Sequence, residues 1–383
     1  VTGNLNINNG GSLTVYNGGI TFSPTYNNQY SLALAAGGAF YFYDSTLISN
    51  TGYHYSITLR DTAFINRSTV AEMYGNTGSW VGGIQVYSSK VTIGNSTIRD
   101  GYTGGIYVSG CNPDIEYNTI YNHGQGGSSS TYCFGIYTTT TNGIRIHNNN
   151  IYNCYYAMYG YYYYGVGLRM DYAKDTDIIQ ANNIHDNGFP GLGTWYYAYG
   201  SDVYLYYSSP VMLDNLLSNS GSVLYLENSY PPKIFGGTWD CNMPMYAWSS
   251  YQIYASASTA NISNVNITIR NYYYGYGTQF SNSIINMTNL TFSYVESGVY
   301  GYAYFYGLYV TSSSIWNIYN CNFVATVNQG YYFYFFYPQS SSNIYFNNSK
   351  FTATYSTPSY SYYFFPIYVY DWNGFSSFVA TNS

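Results

Sequence analysis

Short bursts of alternating apolar and polar residues, each closed by an asparagine and a second apolar pair, recur along this chain. Four units are explicit: Val91-Thr92-Ile93-Gly94-Asn95-Ser96-Thr97-Ile98, Asp114-Ile115-Glu116-Tyr117-Asn118-Thr119-Ile120, Ile144-Arg145-Ile146-His147-Asn148-Asn149-Asn150-Ile151 and Ile178-Ile179-Gln180-Ala181-Asn182-Asn183-Ile184. Degenerate copies follow at Val211 to Leu217, Ile262 to Ile269, Ile284 to Leu290, Ile315 to Phe323 and Ile344 to Phe351. The period within each unit is two, that of a strand, and no helical period of 3.6 competes with it. The closing isoleucines Ile98, Ile120, Ile151 and Ile184 are 22, 31 and 33 residues apart, so one supersecondary unit repeats with loops of variable length. That is the signature of a solenoid.

A second track runs ahead of the first. Gly105-Ile106-Tyr107-Val108, Gly135-Ile136-Tyr137-Thr138, Gly167-Leu168-Arg169-Met170, Asp202-Val203-Tyr204-Leu205 and Val223-Leu224-Tyr225-Leu226 precede the asparagine units at similar intervals. Each coil therefore holds at least two short strands, with Ile, Val and Leu inward and Gly, Ser, Asn and Pro at the turns. Stacking coil on coil pairs each strand with its sequence-distant equivalent. It also predicts that asparagines at one turn position form an amide ladder, hydrogen-bonded up and down the stack.

On Asn118-Thr119-Ile120-Tyr121-Asn122 and Asn149-Asn150-Ile151-Tyr152-Asn153, each following a Gly-Ile-Tyr strand, the chain resembles the right-handed parallel β-helix repeats of the pectate-lyase-like superfamily. Its low charge, sequons and Tyr, Asn, Ser and Thr content resemble, by analogy, archaeal-type cell-surface members. The resemblance implies an all-β, right-handed parallel β-helix of about a dozen coils, a rod about 60 Å long. It is clearest over residues 85–230. Residues 1–30 are expected to form an N-terminal strand segment used in assembly and 31–383 the β-helix, with the part after 255 either continuing it or forming a separate sheet domain. Such repeats identify a fold and not a reaction.

Only 7% of the residues are charged, while 57 are Tyr and 39 are Gly, and the net charge is −6. A usual charged share is about a quarter. The chain has no clustered Lys or Arg, which excludes nucleic acid as a partner because phosphate binding needs a basic footprint. No apolar run reaches the length of a membrane span. The start at Val1 fits removal of a secretory signal, as it would an expressed fragment.

Seven N-x-Ser/Thr sequons, at Asn66, Asn95, Asn261, Asn266, Asn286, Asn289 and Asn347, fit a secreted glycoprotein, with Asn95 equally readable as an unmodified ladder residue. Cys111, Cys133 and Cys154 are spaced by 22 and 21 residues, close to one short coil, so two of them are placed to stack as thiols or to form a disulfide. Cys241 and Cys321 complete an odd count, and no pair has metal-ligand spacing.

The one charge-dense stretch comprises Arg145, His147, Arg169, Asp171, Lys174, Asp175, Asp177, His185 and Asp186. The family resemblance implies a lyase arrangement in which Asp171, Asp175 and Asp177 bind calcium and Arg169 or Lys174 abstracts a proton from a uronic acid. Asp171 and Asp186 could instead serve as acid and base in glycoside hydrolysis. Against both stands a solvated turn in which Asp caps the backbone. An acidic-polysaccharide cleft also wants several basic residues, and the chain has ten Lys plus Arg in all, scattered. His54, His123, His147 and His185 lie beside no nucleophile or zinc pattern, and the glycines at 101–105 and 124–127 are turn glycines without a following helix.

Tyrosine carries the functional argument. Tyr155-Tyr156-Ala157-Met158-Tyr159-Gly160-Tyr161-Tyr162-Tyr163-Tyr164, Tyr272-Tyr273-Tyr274, Tyr331-Tyr332-Phe333-Tyr334-Phe335-Phe336-Tyr337 and the run from Tyr360 to Phe365 put aromatics on both faces of a strand or loop. One face fills the core and the other meets solvent, sugar or protein. The expectation is a secreted structural subunit that binds copies of itself through tyrosine surfaces and terminal strands, in a filament, sheath or surface layer. A polysaccharide lyase or hydrolase, and a monomeric adhesin binding cell-surface glycans through Tyr161 to Tyr164, are the alternatives.

Overall fold

The computed structural model describes residues 1–76, 79–124, 133–158, 162–188, 197–198, 200–242, 251–271, 274–296, 304–327, 332–355, 363–369 and 376–383. Of the tyrosine runs, residues 159–161, 272–273, 331 and 360–362 lie outside them.

The chain is a parallel β-helix. Three strands per coil feed three long sheets, the first and second of 14 strands and the third of 13, in strict coil order. All pairings within these sheets are parallel, as when Gly104–Ser109, Asp114–Glu116 and Thr119–Tyr121 of one coil pair with Phe134–Thr139, Arg145–His147 and Asn150–Tyr152 of the next. The first coil is Leu5–Ile7, Ser12–Tyr16 and Gly19–Phe22. The coils continue past residue 255 as the same three sheets, to Tyr363–Ile367 on the first and Ser377–Thr381 on the second. A small further sheet joins Tyr156–Met158, Tyr162–Tyr164 and Tyr197–Ala198. No helix occurs among the described residues, so none of them forms a membrane-spanning helix.

Alternation explains the core. On the first sheet Ile84, Ile106, Ile136, Leu168, Val203, Leu224 and Ile253 follow one another in register and are buried without exception. The second sheet contributes Ile65, Ile93, Ile115, Ile146 and Ile179, and the third Val70, Ile98, Ile120, Ile151 and Ile184. Each inward side chain thus stacks on its equivalents above and below, in largely apolar columns, with a second one on the first sheet through Val86, Val108, Met170, Leu205 and Leu226.

Two turns are built on ladders. Between the second and third sheets one residue per coil takes the left-handed conformation, as Asn95, Tyr117, Asn148, Ala181 and Asp214 do at φ 51–55°. The next residue points inward. Asn118, Asn149, Asn182 and Asn215 occupy that position, and the backbone N–H of each of the first three donates to the amide oxygen of the next coil's asparagine at 3.0 Å. Their Nδ2 groups donate onward at 3.0–3.1 Å and back to Ile93, Ile115, Ile146 and Ile179 carbonyls. Between the first and second sheets the same device uses serine: Ser208, Ser229, Ser258, Ser283, Ser314 and Ser342 link coil to coil from N–H to hydroxyl at 3.0–3.2 Å. A buried backbone donor left unmet would cost about 1–3 kcal/mol, which is why polar residues recur at these inward corners.

Candidate functional site

The outer face of the first sheet carries a column in which seven of nine successive positions are tyrosine. Tyr107, Tyr137, Arg169, Tyr204, Tyr225, Tyr254, Gln279, Tyr309 and Tyr337 are successive register partners on nine coils. Three places earlier on the same strands, Tyr251, Tyr276, Tyr306, Tyr334 and Phe365 are successive backbone register partners. The positions from Tyr107 to Tyr337 alternate with the inward core residues, so the pleat that buries Ile and Leu turns tyrosine outward.

The rings use their faces on one another. Tyr225 and Tyr254 stack at 4.4 Å, Tyr309 and Tyr337 at 5.4 Å, and Tyr334 and Phe365 at 5.5 Å. Tyr107 and Tyr137 are buried, with Trp80 packed against them, while Tyr204, Tyr225, Tyr254, Tyr309 and Tyr337 are half-buried. Tyr204 donates its hydroxyl to Glu227, and Tyr309 to Gln339 at 2.7 Å. Burial, together with neighbouring carboxylates or rings, holds the Tyr137, Tyr204 and Tyr225 phenols well above the ordinary tyrosine range, so they remain donors.

Arg169 is the centre of this column. Its guanidinium lies 4.4 Å from the Trp80 ring and 4.5 Å from the Tyr204 ring, with Tyr137 and Tyr206 farther out. Nε donates to Asp171 at 2.8 Å, and Tyr137 donates its hydroxyl to the other Asp171 oxygen at 2.8 Å. The Arg169 and Asp171 side chains are only 12% and 9% exposed. A second hydrophobic cluster forms around them on the outer side of the sheet: Tyr107, Phe134 and Tyr137, with Trp80, Val81 and Tyr87 packed against it. Trp80 is a member that sequence reasoning missed, because it sits outside the repeat.

The other charged candidates are distributed around the coil rather than gathered. Lys174 and Asp175 are exposed in the turn after the first sheet. Asp177 is fully buried and accepts from the Thr141 hydroxyl and from the backbone of Gly143, Ile144 and Lys174, so it caps two turns. Asp171, Asp175 and Asp177 therefore do not converge on one cation position. Asp186 follows the third sheet, paired with His185 at 2.5 Å and separated by a sheet corner from Asp171. On the outer face of the second sheet, by contrast, Asp114, Glu116 and His147 meet, with His147 Nε2 3.1 Å from Asp114 and 3.5 Å from Glu116. The repeat itself aligns Glu116 with His147, a signal present in the sequence but not used.

All seven sequon asparagines are surface-facing. Asn95 donates its amide to Asn66, Asn286 to Asn261, and Asn289 to Asn264, as outer ladders. Asn347 accepts from Thr381, and Asn266 opens a third-sheet strand. The five cysteines are free and buried. Cys111 sits after a first-sheet strand and donates to the Val86 carbonyl, while Cys133 and Cys154 flank the opposite corner. Burial pushes the Cys111 thiol up to about 11.

Residues 63–243 match the family described as the right handed beta helix region. No curated protein matches the chain. Among solved structures, it is similar to a double mutant of the periplasmic alginate epimerase AlgG, at 11% identity and TM-score 0.44, over 97% of this chain and 77% of that one. It is also similar to the gp42 tailspike of Acinetobacter phage vb_AbaP_AS12, at 10% identity and TM-score 0.33, over 87% of this chain and 58% of that one. Sheet topology and the matched repeats together make this a right-handed parallel β-helix protein.

Proposed function

We propose that this β-helix is a structural subunit of an extracellular assembly, a filament, sheath or surface layer, in which copies of the chain meet across the tyrosine-lined flank of the first sheet. The observation that supports this most is the nine-coil column from Tyr107 to Tyr337. A row rich in tyrosine, whose charges at Arg169, Asp171 and Glu227 are taken up by partners within it, offers the mix of apolar area and hydrogen bonding found at protein contacts. Tyr225 stacks on Tyr254 and Tyr309 on Tyr337, which takes those faces away from a sugar. Asparagine sequons on the outer faces and a 7% charged composition support an extracellular setting.

The test is size-exclusion chromatography with light scattering and electron microscopy of the wild type beside Tyr225→Ser/Tyr254→Ser/Tyr309→Ser, with circular dichroism confirming retained sheet. We expect polymers from the wild type and single rods from the variant. Polymers of unchanged geometry in the variant would place the contact elsewhere.

A glycan-binding reading draws on a different feature. Tyr172, Tyr207 and Tyr230 are 44%, 47% and 56% exposed on successive coils at the turn after the first sheet. Tyr172 and Tyr207 stack at 5.5 Å. Glycan-array binding that disappears in Tyr172→Ala/Tyr207→Ala, from a protein that stays monomeric, would favour it. The enzymatic alternative, a polysaccharide lyase or hydrolase, would need Arg169 or Asp171 released from each other and from Tyr137.

A further inference from the structure

We infer that Asp114, Glu116 and His147 form a binding site for a first-row divalent cation on the outer face of the second sheet. The three residues converge by strand geometry alone. Asp114 and Glu116 are two apart on one strand and so share a face, and His147 is the register partner of Glu116 on the next coil. One ligand atom from each lies within 4.8 Å of the other two. Nothing in the core depends on them.

The charges around the group are unbalanced in the way a cation would correct. Two carboxylates face a single imidazole nitrogen, at 3.1 Å and 3.5 Å, so one N–H serves two acceptors. Arg145, the register partner of Asp114, is exposed and forms no ion pair among the described residues. Above Glu116, its partner on the preceding coil is Gly94, where an added Cβ would stand 3.4 Å from Glu116 Cγ and 3.6 Å from Oε1. Glycine there keeps one approach to the carboxylate open.

The imidazole is held for the task. Tyr117 packs edge-on against it at 5.8 Å, and the Asn148 side-chain amide lies 3.1 Å from Nδ1. With Nδ2 of Asn148 donating to Nδ1, the imidazole proton sits on Nε2 and points at Asp114. With that amide turned over, its oxygen accepts from Nδ1–H and the Nε2 lone pair faces the carboxylates. The same residues thus provide an ion-free pair and a nitrogen-plus-two-oxygen ligand set, and the outer-shell amide selects between them. One imidazole with two carboxylates suits Zn²⁺ or Mn²⁺, whereas calcium favours oxygen alone.

The test is isothermal titration of the chelator-treated full chain with Zn²⁺, Mn²⁺ and Ca²⁺ as probes, beside His147→Gln, Asp114→Asn and Arg145→Ala. We expect one Zn²⁺ per chain, binding weakened at least tenfold in His147→Gln and Asp114→Asn, and tightened several-fold in Arg145→Ala. All three positions lie on an outer strand face, and identical circular dichroism shows that the variants fold. Zn²⁺ binding that His147→Gln leaves unchanged would overturn the site. So would the lack of any Zn²⁺ or Mn²⁺ binding below millimolar concentration, which would leave a plain ion pair.

Discussion

Asp202 and two histidines are buried titratable groups through which this molecule answers pH. Asp202 is fully buried where the third sheet turns into the first, with one oxygen accepting from Asn187 and Ser220 and the other without a partner among the described residues. Burial raises its carboxyl well above the ordinary range. A raised folded value means that the folded state holds a proton the unfolded state releases, so stability falls as pH rises above about 4, by up to about 1.4 kcal/mol per pH unit. His54 and His123 act on the acid side. Burial lowers them to about 4 and about 3, so unfolding takes up protons below the ordinary value near 6.5, and stability falls as pH drops through that window. Urea denaturation across pH should show both slopes, with Asp202→Asn removing the alkaline one and His54→Gln/His123→Gln flattening the acid one. Arg169→Ala should cost about 3 kcal/mol, because it strands the Asp171 carboxylate among aromatic rings. The sequence marks Asp202 only as the residue that replaces Gly105, Gly135 and Gly167 at one place of the repeat; that this place is enclosed is decided by the packing of the corner around it.

At the level of the coil, the ladders are the specific prediction. Asn149→Ala leaves the Asn118 N–H and the Ile115 carbonyl unmet and should cost about 2–4 kcal/mol in chemical denaturation. Asn149→Ser should recover part of that, since serine fills the same position at Ser45, Ser68 and Ser96. A serine variant as damaging as alanine would remove the ladder explanation. The ladder was legible in advance because the asparagine recurs beside an invariant Ile-x-x rhythm in adjacent coils. The C-terminal third was harder to read for a physical reason. There the inward corner passes to Val265, Leu290 and Cys321, and the core columns to Phe292, Trp316, Phe323, Phe336 and Phe346, so the same fold is filled by different shapes. The charged stretch read as one cluster because its residues are neighbours in sequence. A coil spreads such neighbours over three faces, so beyond local pairs such as Arg169–Asp171 it is residues one period apart, such as Glu116 and His147, that come together.

At the scale of the whole molecule, fourteen rungs at about 4.8 Å make a rod roughly 65 Å long with one flank lined by tyrosine. Such a flank is chemically uniform along its length, which suits repeated contact with copies of the same surface and requires no single catalytic point. Removing residues 1–16, the first two strands of the first coil, tests whether an end as well as the flank takes part. We expect folded protein with altered or lost polymer ends, scored by microscopy, and unchanged assembly would confine the contact to the flank. The central claim is tested most directly by cryo-electron microscopy of the native, untagged protein at physiological salt. The account predicts regular filaments or lattices whose subunit contacts fall on the Tyr107 to Tyr337 column. A field of isolated rods about 65 Å long would contradict it.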